Sequence, residues 1–176
     1  LQNIAYFCCC RLVKGACSFG LISKSNRTKG HTIKVERKMK ISIIGTGTIA
    51  NEVIRMLKTE VKGIEITSLF AHSNKEKAQA IAKSNRIERI YTDYSQLLKD
   101  DDADFLYIAL INSVHYDFAR KALEAKRNVI IEKPFTMTLQ ETETLASLAR
   151  EHQLYLFEAI APLHTPNFRL VKESLK

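Results

Sequence analysis

From residue 40 onward the apolar positions follow two alternating periods. Lys40 to Ile44 is a β-branched run with apolar residues at 41, 43 and 44, closed by Gly45, which predicts a buried parallel strand. After Thr48 the period lengthens. Ile49, Val53, Met56 and Leu57 recur on one face of a helix that ends near Lys58. Gly63 turns the chain into a second strand, residues 64–70. Ser73 or Asn74 then caps a helix with Ala78, Ile81 and Ala82 on its inner face. A short extended stretch around Ile90 and Tyr91 leads to one or two helical turns at 94–98, with Ser95 as the expected cap.

The apolar stretch 104–110 enters the sheet as a fourth strand, followed by a helix from Ser113 to about Ala125 and a strand over 128–131. Pro134 stops that strand. Thr138 or Thr136 caps a helix carrying Leu139, Leu145 and Leu148, which ends at Arg150 and gives way to a strand at 154–157. Pro162 and Pro166 mark a loop, and residues 167–176 begin one more helix. Strands alternating with helix-length crossovers predict an α/β fold: a doubly wound, mostly parallel, Rossmann-like sheet.

The 176 residues (20.0 kDa) suffice for one well-cored domain and not for two large ones. We expect a dinucleotide-binding domain over 39–160, with 161–176 a linker or the start of a second domain. Residues 1–38 read as a basic, irregular extension, with Met39 opening the folding unit. Charge supports that division. The formal net charge is +8, from 27 Lys and Arg against 19 Asp and Glu. Residues 1–40 hold nine of those bases and a single acid, Glu36, so the excess lies in the arm and the rest is balanced. No recognition helix or aromatic platform accompanies the basic arm, so a nucleic-acid partner is not expected.

Cys8, Cys9, Cys10 and Cys17 also fall in the arm. Three adjacent thiols do not make a zinc site, and the domain that needs a core has no Cys to cross-link. A reducing, cytoplasmic setting fits. No apolar run approaches the roughly 18 residues of a membrane span, so no membrane association is expected. Ile4 to Cys10 is apolar but lacks the basic flank of a signal peptide.

Gly45-Thr46-Gly47-Thr48-Ile49-Ala50 has the spacing G-x-G-x-x-A between a strand and a helix. The first glycine allows the tight turn, the second lets the backbone approach a pyrophosphate, and the small Ala50 lets helix and sheet pack closely. The anion would sit on the amides at the helix N-terminus. The lysine and hydroxyl of a P-loop are missing, which argues against an NTPase. The second strand ends in Ala71-His72-Ser73-Asn74-Lys75, without the acid that recognises the ribose 2′-hydroxyl of NAD. Ser73 with His72 or Lys75 could accommodate a 2′-phosphate instead, which tilts the cofactor toward NADP and leaves NAD open. The same Ser73 and Asn74 serve equally as helix caps.

Glu132-Lys133-Pro134 follows the fifth strand at the carboxyl edge of the sheet, where open α/β folds gather ligands. A lysine there can hydrogen-bond a substrate hydroxyl or act as an acid beside the nicotinamide. A cis Pro134 would hold the loop in a sharp turn.

Taken together, the sequence resembles the glucose-fructose oxidoreductase/inositol dehydrogenase (Gfo/Idh/MocA) family over residues 39–168. The pieces are Ile43 to Ala50; Tyr107-Ile108-Ala109 with Asn112 and His115; Val129 to Phe135; Phe157-Glu158-Ala159; and Pro166-Asn167-Phe168. The resemblance implies a Rossmann domain for NAD or NADP. It also implies hydride transfer with a sugar, polyol or related substrate, with Lys133 as the substrate-side lysine and Asn112 and Glu132 near the cofactor. His115 reads more simply as a helix-start residue. The family's Thr-Pro before the Asn is Leu110-Ile111 here. Family members carry a second α/β domain that supplies much of the substrate pocket, and its absence after Lys176 leaves this stretch short of full catalytic machinery. A non-catalytic dinucleotide-binding module and a structural partner protein, its apolar edge covered by homo-oligomerisation, stand as alternatives.

Overall fold

The β-branched runs of the sequence become the strands of one parallel sheet, and the amphipathic stretches become the helices on its two faces. A computed structural model describes residues 4–6, 37–100, 102–160 and 166–175. The elements are β1 (Ile4–Tyr6), β2 (Met39–Ile44), α1 (Thr48–Thr59), β3 (Ile64–Phe70), α2 (Lys75–Asn85), β4 (Arg89–Tyr91) and α3 (Tyr94–Lys99). They continue with β5 (Phe105–Ile108), a 3-10 turn (Asn112–Val114), α4 (His115–Glu124), β6 (Val129–Glu132), α5 (Leu139–Glu151), β7 (Leu156–Ala159) and α6 (Pro166–Ser174).

The strand order is β1-β7-β6-β5-β2-β3-β4, every pair parallel. Successive residues of β2, β5 and β6 point to opposite faces, so each strand serves two cores. Ile41, Ile43, Phe105, Tyr107 and Ile130 meet α1 and α2 through Val53, Ile54, Leu57, Ala78 and Ile81. Ile44, Leu106, Ile108, Val129 and Ile131 meet α3, α4 and α5 through Leu97, Ala119, Leu123 and Leu145. Burial on both sides explains why these strands read as nearly continuous apolar runs.

An irregularity in β3 shows how polar groups are tolerated inside the sheet. The register steps from Ile41 opposite Ile66 to Ser42 opposite Ser68, leaving Thr67 as an extra residue. The buried hydroxyls answer one another: Ser42 Oγ lies 2.6 Å from Ser68 Oγ and 3.4 Å from Thr67 Oγ1. The carbonyl of Thr67 accepts from Arg89 Nε at 3.4 Å.

Four boundaries differ from the sequence expectation. The cap of α3 is Asp93, whose side chain accepts from Ser95 N at 2.8 Å, not Ser95 itself. The last strand begins at Leu156 because the chain before it is already engaged: Leu154 N donates to Ala149 O at the end of α5, and Tyr155 N to Asn128 Oδ1. The helix expected from Ser113 opens with a 3-10 turn and becomes α-helical at His115. Within the stretch expected to be irregular, Ile4–Tyr6 pairs with β7. The alternatives for two other caps resolve to Asn74 on α2 and to Thr138 on α5, the latter in a capping box with Glu141. The four cysteines, Pro162 and His164 lie outside the described residues. Among the described residues no helix is long and apolar enough to cross a membrane, and no cluster of potential metal ligands occurs.

Candidate functional site

The direction in which strands are added reverses between β2 and β5: from β2 the sheet grows through β3 to β4, and from β5 through β6 to β7. The carboxyl ends of adjacent strands at such a switch point frame a crevice. The segments singled out from the sequence lie along this edge. Residues 45–50 follow β2, residues 72–75 follow β3, Asn112 follows β5, and Glu132 with Lys133 close β6. Gly47, Thr48, Ile49, His72, Ser73, Lys75, Asn112 and Lys133 are all exposed, whereas Gly45 and Ala50 are buried.

The two glycines play different parts. Gly45 has φ +128°, and a Cβ there would stand 2.4 Å from the carbonyl oxygen of Ala109, so both the turn and the approach to β5 demand glycine. Gly47 has φ −73° and ψ −176°, ordinary values for any residue, and a Cβ would meet nothing within 4 Å. Nothing in the protein itself calls for glycine at that position. A ligand lying against the backbone would.

The helix that follows points the same way. Helices α2, α3 and α5 are capped by Asn74, Asp93 and Thr138, whereas α1 and α4 have no side-chain cap, α4 being preceded directly by the 3-10 turn. The first-turn amides of α1 face the crevice with the positive end of the helix dipole behind them. Asn51 Nδ2 donates to Gly47 O at 2.8 Å and steadies the turn from behind, a contact not foreseen from the motif. Ile49, expected on the inner face of α1, is instead 42 % exposed at the crevice mouth, and Ala50 and Ile54 join Val53 and Leu57 in the core. The open cradle and free amides therefore fit the pyrophosphate of a dinucleotide.

At the other end of the crevice the Lys133–Pro134 peptide is cis. The Lys133 side chain is exposed, while its backbone N–H donates to Glu132 Oε2 at 3.2 Å. The other oxygen of that carboxylate accepts from Tyr107 Oη at 2.6 Å. Glu132 is thus half-buried and engaged by the protein through both oxygens. Two further groups hold the loop, and spacing alone did not reveal them. Phe135 N donates to Glu158 Oε1 at 3.0 Å, and the buried His115 sits between Pro134 O and Leu110 O. The β6–β7 register, with Ile131 beside Glu158, is the signal that would have exposed the first.

Comparison with known proteins agrees with this geometry. Residues 39–159 match the GFO_IDH_MocA model, described as an oxidoreductase family with an NAD-binding Rossmann fold. The chain belongs to the Gfo/Idh/MocA family. Among curated members, the uncharacterized oxidoreductase YgjR of Escherichia coli is 32% identical over 137 residues, which is 78% of this chain and 41% of the relative. The scyllo-inositol 2-dehydrogenase (NADP(+)) IolU of Bacillus subtilis is 27% identical over 137 residues, with the same coverage of 78% and 41%. Among solved structures, KijD10, a 3-ketoreductase from Actinomadura kijaniata in complex with NADP, superposes with a TM-score of 0.72 at 29% identity. That match covers 79% of this chain and 44% of the other. The chain spans less than half the length of the relatives it matches. What it shares with the family is the NAD(P)-binding oxidoreductase fold, and relatives are found with either NAD or NADP.

Proposed function

We propose that this chain is the dinucleotide-binding part of an NADP-preferring oxidoreductase acting on a sugar, polyol or related hydroxyl or carbonyl compound. The observation that carries the reading is Gly47, a glycine with ordinary backbone angles and empty space where its side chain would be. The bound nicotinamide supplies hydride chemistry; the chain's own residues bind, orient and handle protons.

In this reading the amides of Thr46 to Ala50 hold the pyrophosphate, with Ile49 covering it. His72, Ser73 and Lys75, exposed at the end of β3 where no acid stands, receive the adenosine ribose and its 2′-phosphate. Asn112 lies on the nicotinamide side. Lys133 reaches from the β6 edge to the substrate oxygen, donating a hydrogen bond to it and a proton as that oxygen gains charge. Glu132 serves by fixing the Lys133 peptide rather than by meeting cofactor, since Tyr107 and the Lys133 amide occupy its oxygens.

The test is a fluorescence titration of the purified chain with NADPH and with NADH. NADPH should bind at micromolar levels and more tightly than NADH. No response to either up to millimolar concentration overturns the cofactor reading, and tighter NADH binding overturns the 2′-phosphate assignment. Cofactor reduction by a panel of polyols and sugars then addresses the substrate class.

A further inference from the structure

The peptide around Lys133 has no regular structure, yet side chains from three different elements hold it. Glu132 of β6 accepts from Lys133 N, and Glu158 of β7 accepts from Phe135 N. His115, the first residue of α4, places Nδ1 2.9 Å from Pro134 O. Its second nitrogen, Nε2, lies 3.1 Å from Leu110 O in the loop that leaves β5 two residues before Asn112. The ring is wholly buried, at 0 % exposure. A carbonyl oxygen can only accept and a neutral imidazole carries a single N–H, so the neutral ring donates to one of the two carbonyls at a time. An apolar side chain could fill the same space, but it would leave both part-buried carbonyls without a ring donor.

We propose that His115 is a positioning residue that clamps the Asn112 loop to the Lys133 loop. It fixes the placement of the cofactor-side asparagine relative to the substrate-side lysine. The inference rests on the reading of those two loops given above. Helix start and clamp are compatible roles, but only the clamp explains why both ring nitrogens are spent on two different loops. Through it, a shift at one loop is felt at the other.

Two variants of the full chain test the clamp by residue-resolved amide hydrogen exchange and NADPH titration. His115→Leu removes the ring N–H from between the two loops. Exchange at Val114, whose amide donates to Ile111 O in the Asn112 loop, and at Phe135 should quicken about tenfold, the loss of a hydrogen bond or so at each loop, with NADPH affinity falling about fivefold. His115→Asn keeps one donor near the Nδ1 position, so Phe135 should regain protection while Val114 stays fast. Leu145→Ala, which empties core space between α5 and the sheet, is the comparator for general loosening. The clamp is overturned if His115→Leu leaves both loops at wild-type exchange, or if it quickens amides throughout the domain as Leu145→Ala does. Should His115→Leu fail to fold, His115→Asn decides, and equal protection of the two loops in that variant overturns the proposal. If the unmodified chain binds neither NADPH nor NADH, the cofactor reading fails, and the exchange data still judge the clamp.

Discussion

Substituting the two glycines of the turn separates fold from binding within three residues. At Gly45 a side chain needs a φ near +128°, a strained region costing about 1–3 kcal/mol for a residue with a Cβ. That Cβ would also stand 2.4 Å from Ala109 O, a backbone atom on the neighbouring strand that cannot swing aside. Gly45→Ala should therefore lose about 3 kcal/mol or more, placing it among the severe substitutions. At Gly47 the backbone is already in an extended region and the space is open, so Gly47→Val should change stability by no more than about 1 kcal/mol. Its effect falls on the ligand. The valine methyls stand where the pyrophosphate must approach, displacing one or two charge-assisted hydrogen bonds worth about 1.5–3 kcal/mol each. A loss of about 3 kcal/mol is roughly 150-fold in affinity. Denaturant melts of both variants, run beside NADPH titrations, read the two effects. If Gly47→Val binds NADPH as the unmodified chain does, the pyrophosphate is not at this turn. If it unfolds as readily as Gly45→Ala, the open space at position 47 has been misjudged.

Lys133→Ala should leave NADPH affinity within about twofold, because the exposed side chain is assigned to substrate and not to cofactor; calorimetric titration checks this, and a large loss of affinity would move Lys133 to the cofactor. Thr138→Ala breaks the capping box on α5 and should cost about 1 kcal/mol, read as a shift in denaturation midpoint. Asp102 is held below the ordinary carboxylate range mainly by its hydrogen bond from Lys40; desolvation pushes the other way, and the hydrogen bond and charge of Arg89 add to the lowering. A depressed folded pKa means stability that is present above the unfolded value of 3.8 and is lost as pH falls through the folded one. Asp102→Asn should accordingly flatten the acid limb of stability below about pH 4. Because the pair is partly exposed, added salt should shrink the difference, and an acid limb identical in both proteins would refute the assignment.

The strands and helices most legible in the sequence are those whose residues answer to a single force. β2, α1 and β3 are set by burial on both sheet faces, and the apolar period shows it directly. The misjudged boundaries arise where two local solutions compete. Asp93 and Ser95 are both good caps, and the geometry of the turn selects the aspartate. Leu154 and Tyr155 have strand-like side chains, but the end of α5 and Asn128 take their amides first. The braces of the Lys133 loop are a different case. Glu132, Glu158 and His115 come from three elements, and their convergence is a property of strand order rather than of spacing. A histidine at a helix start looks ordinary until Leu110 and Pro134 are brought to either side of it.

The site itself is most visible where the chain departs from what stability alone would choose. α1 lacks the side-chain cap that α2, α3 and α5 each possess, and a large apolar residue, Ile49, stands exposed at its first turn. Gly47 gives up conformational entropy without gaining a turn or a close contact in return. The missing cap and the glycine are one choice, since Gly47 is itself the cap residue of α1, and Ile49 stands two residues on. Local rules broken together at one place mark function more securely than any one of them broken alone. An anion accounts for the bare cap: it takes the place of a capping side chain and lies against the backbone at residue 47. Binding should therefore raise thermal stability and protect the first-turn amides of α1 together. Stabilisation by NADPH without that local protection would place the cofactor elsewhere.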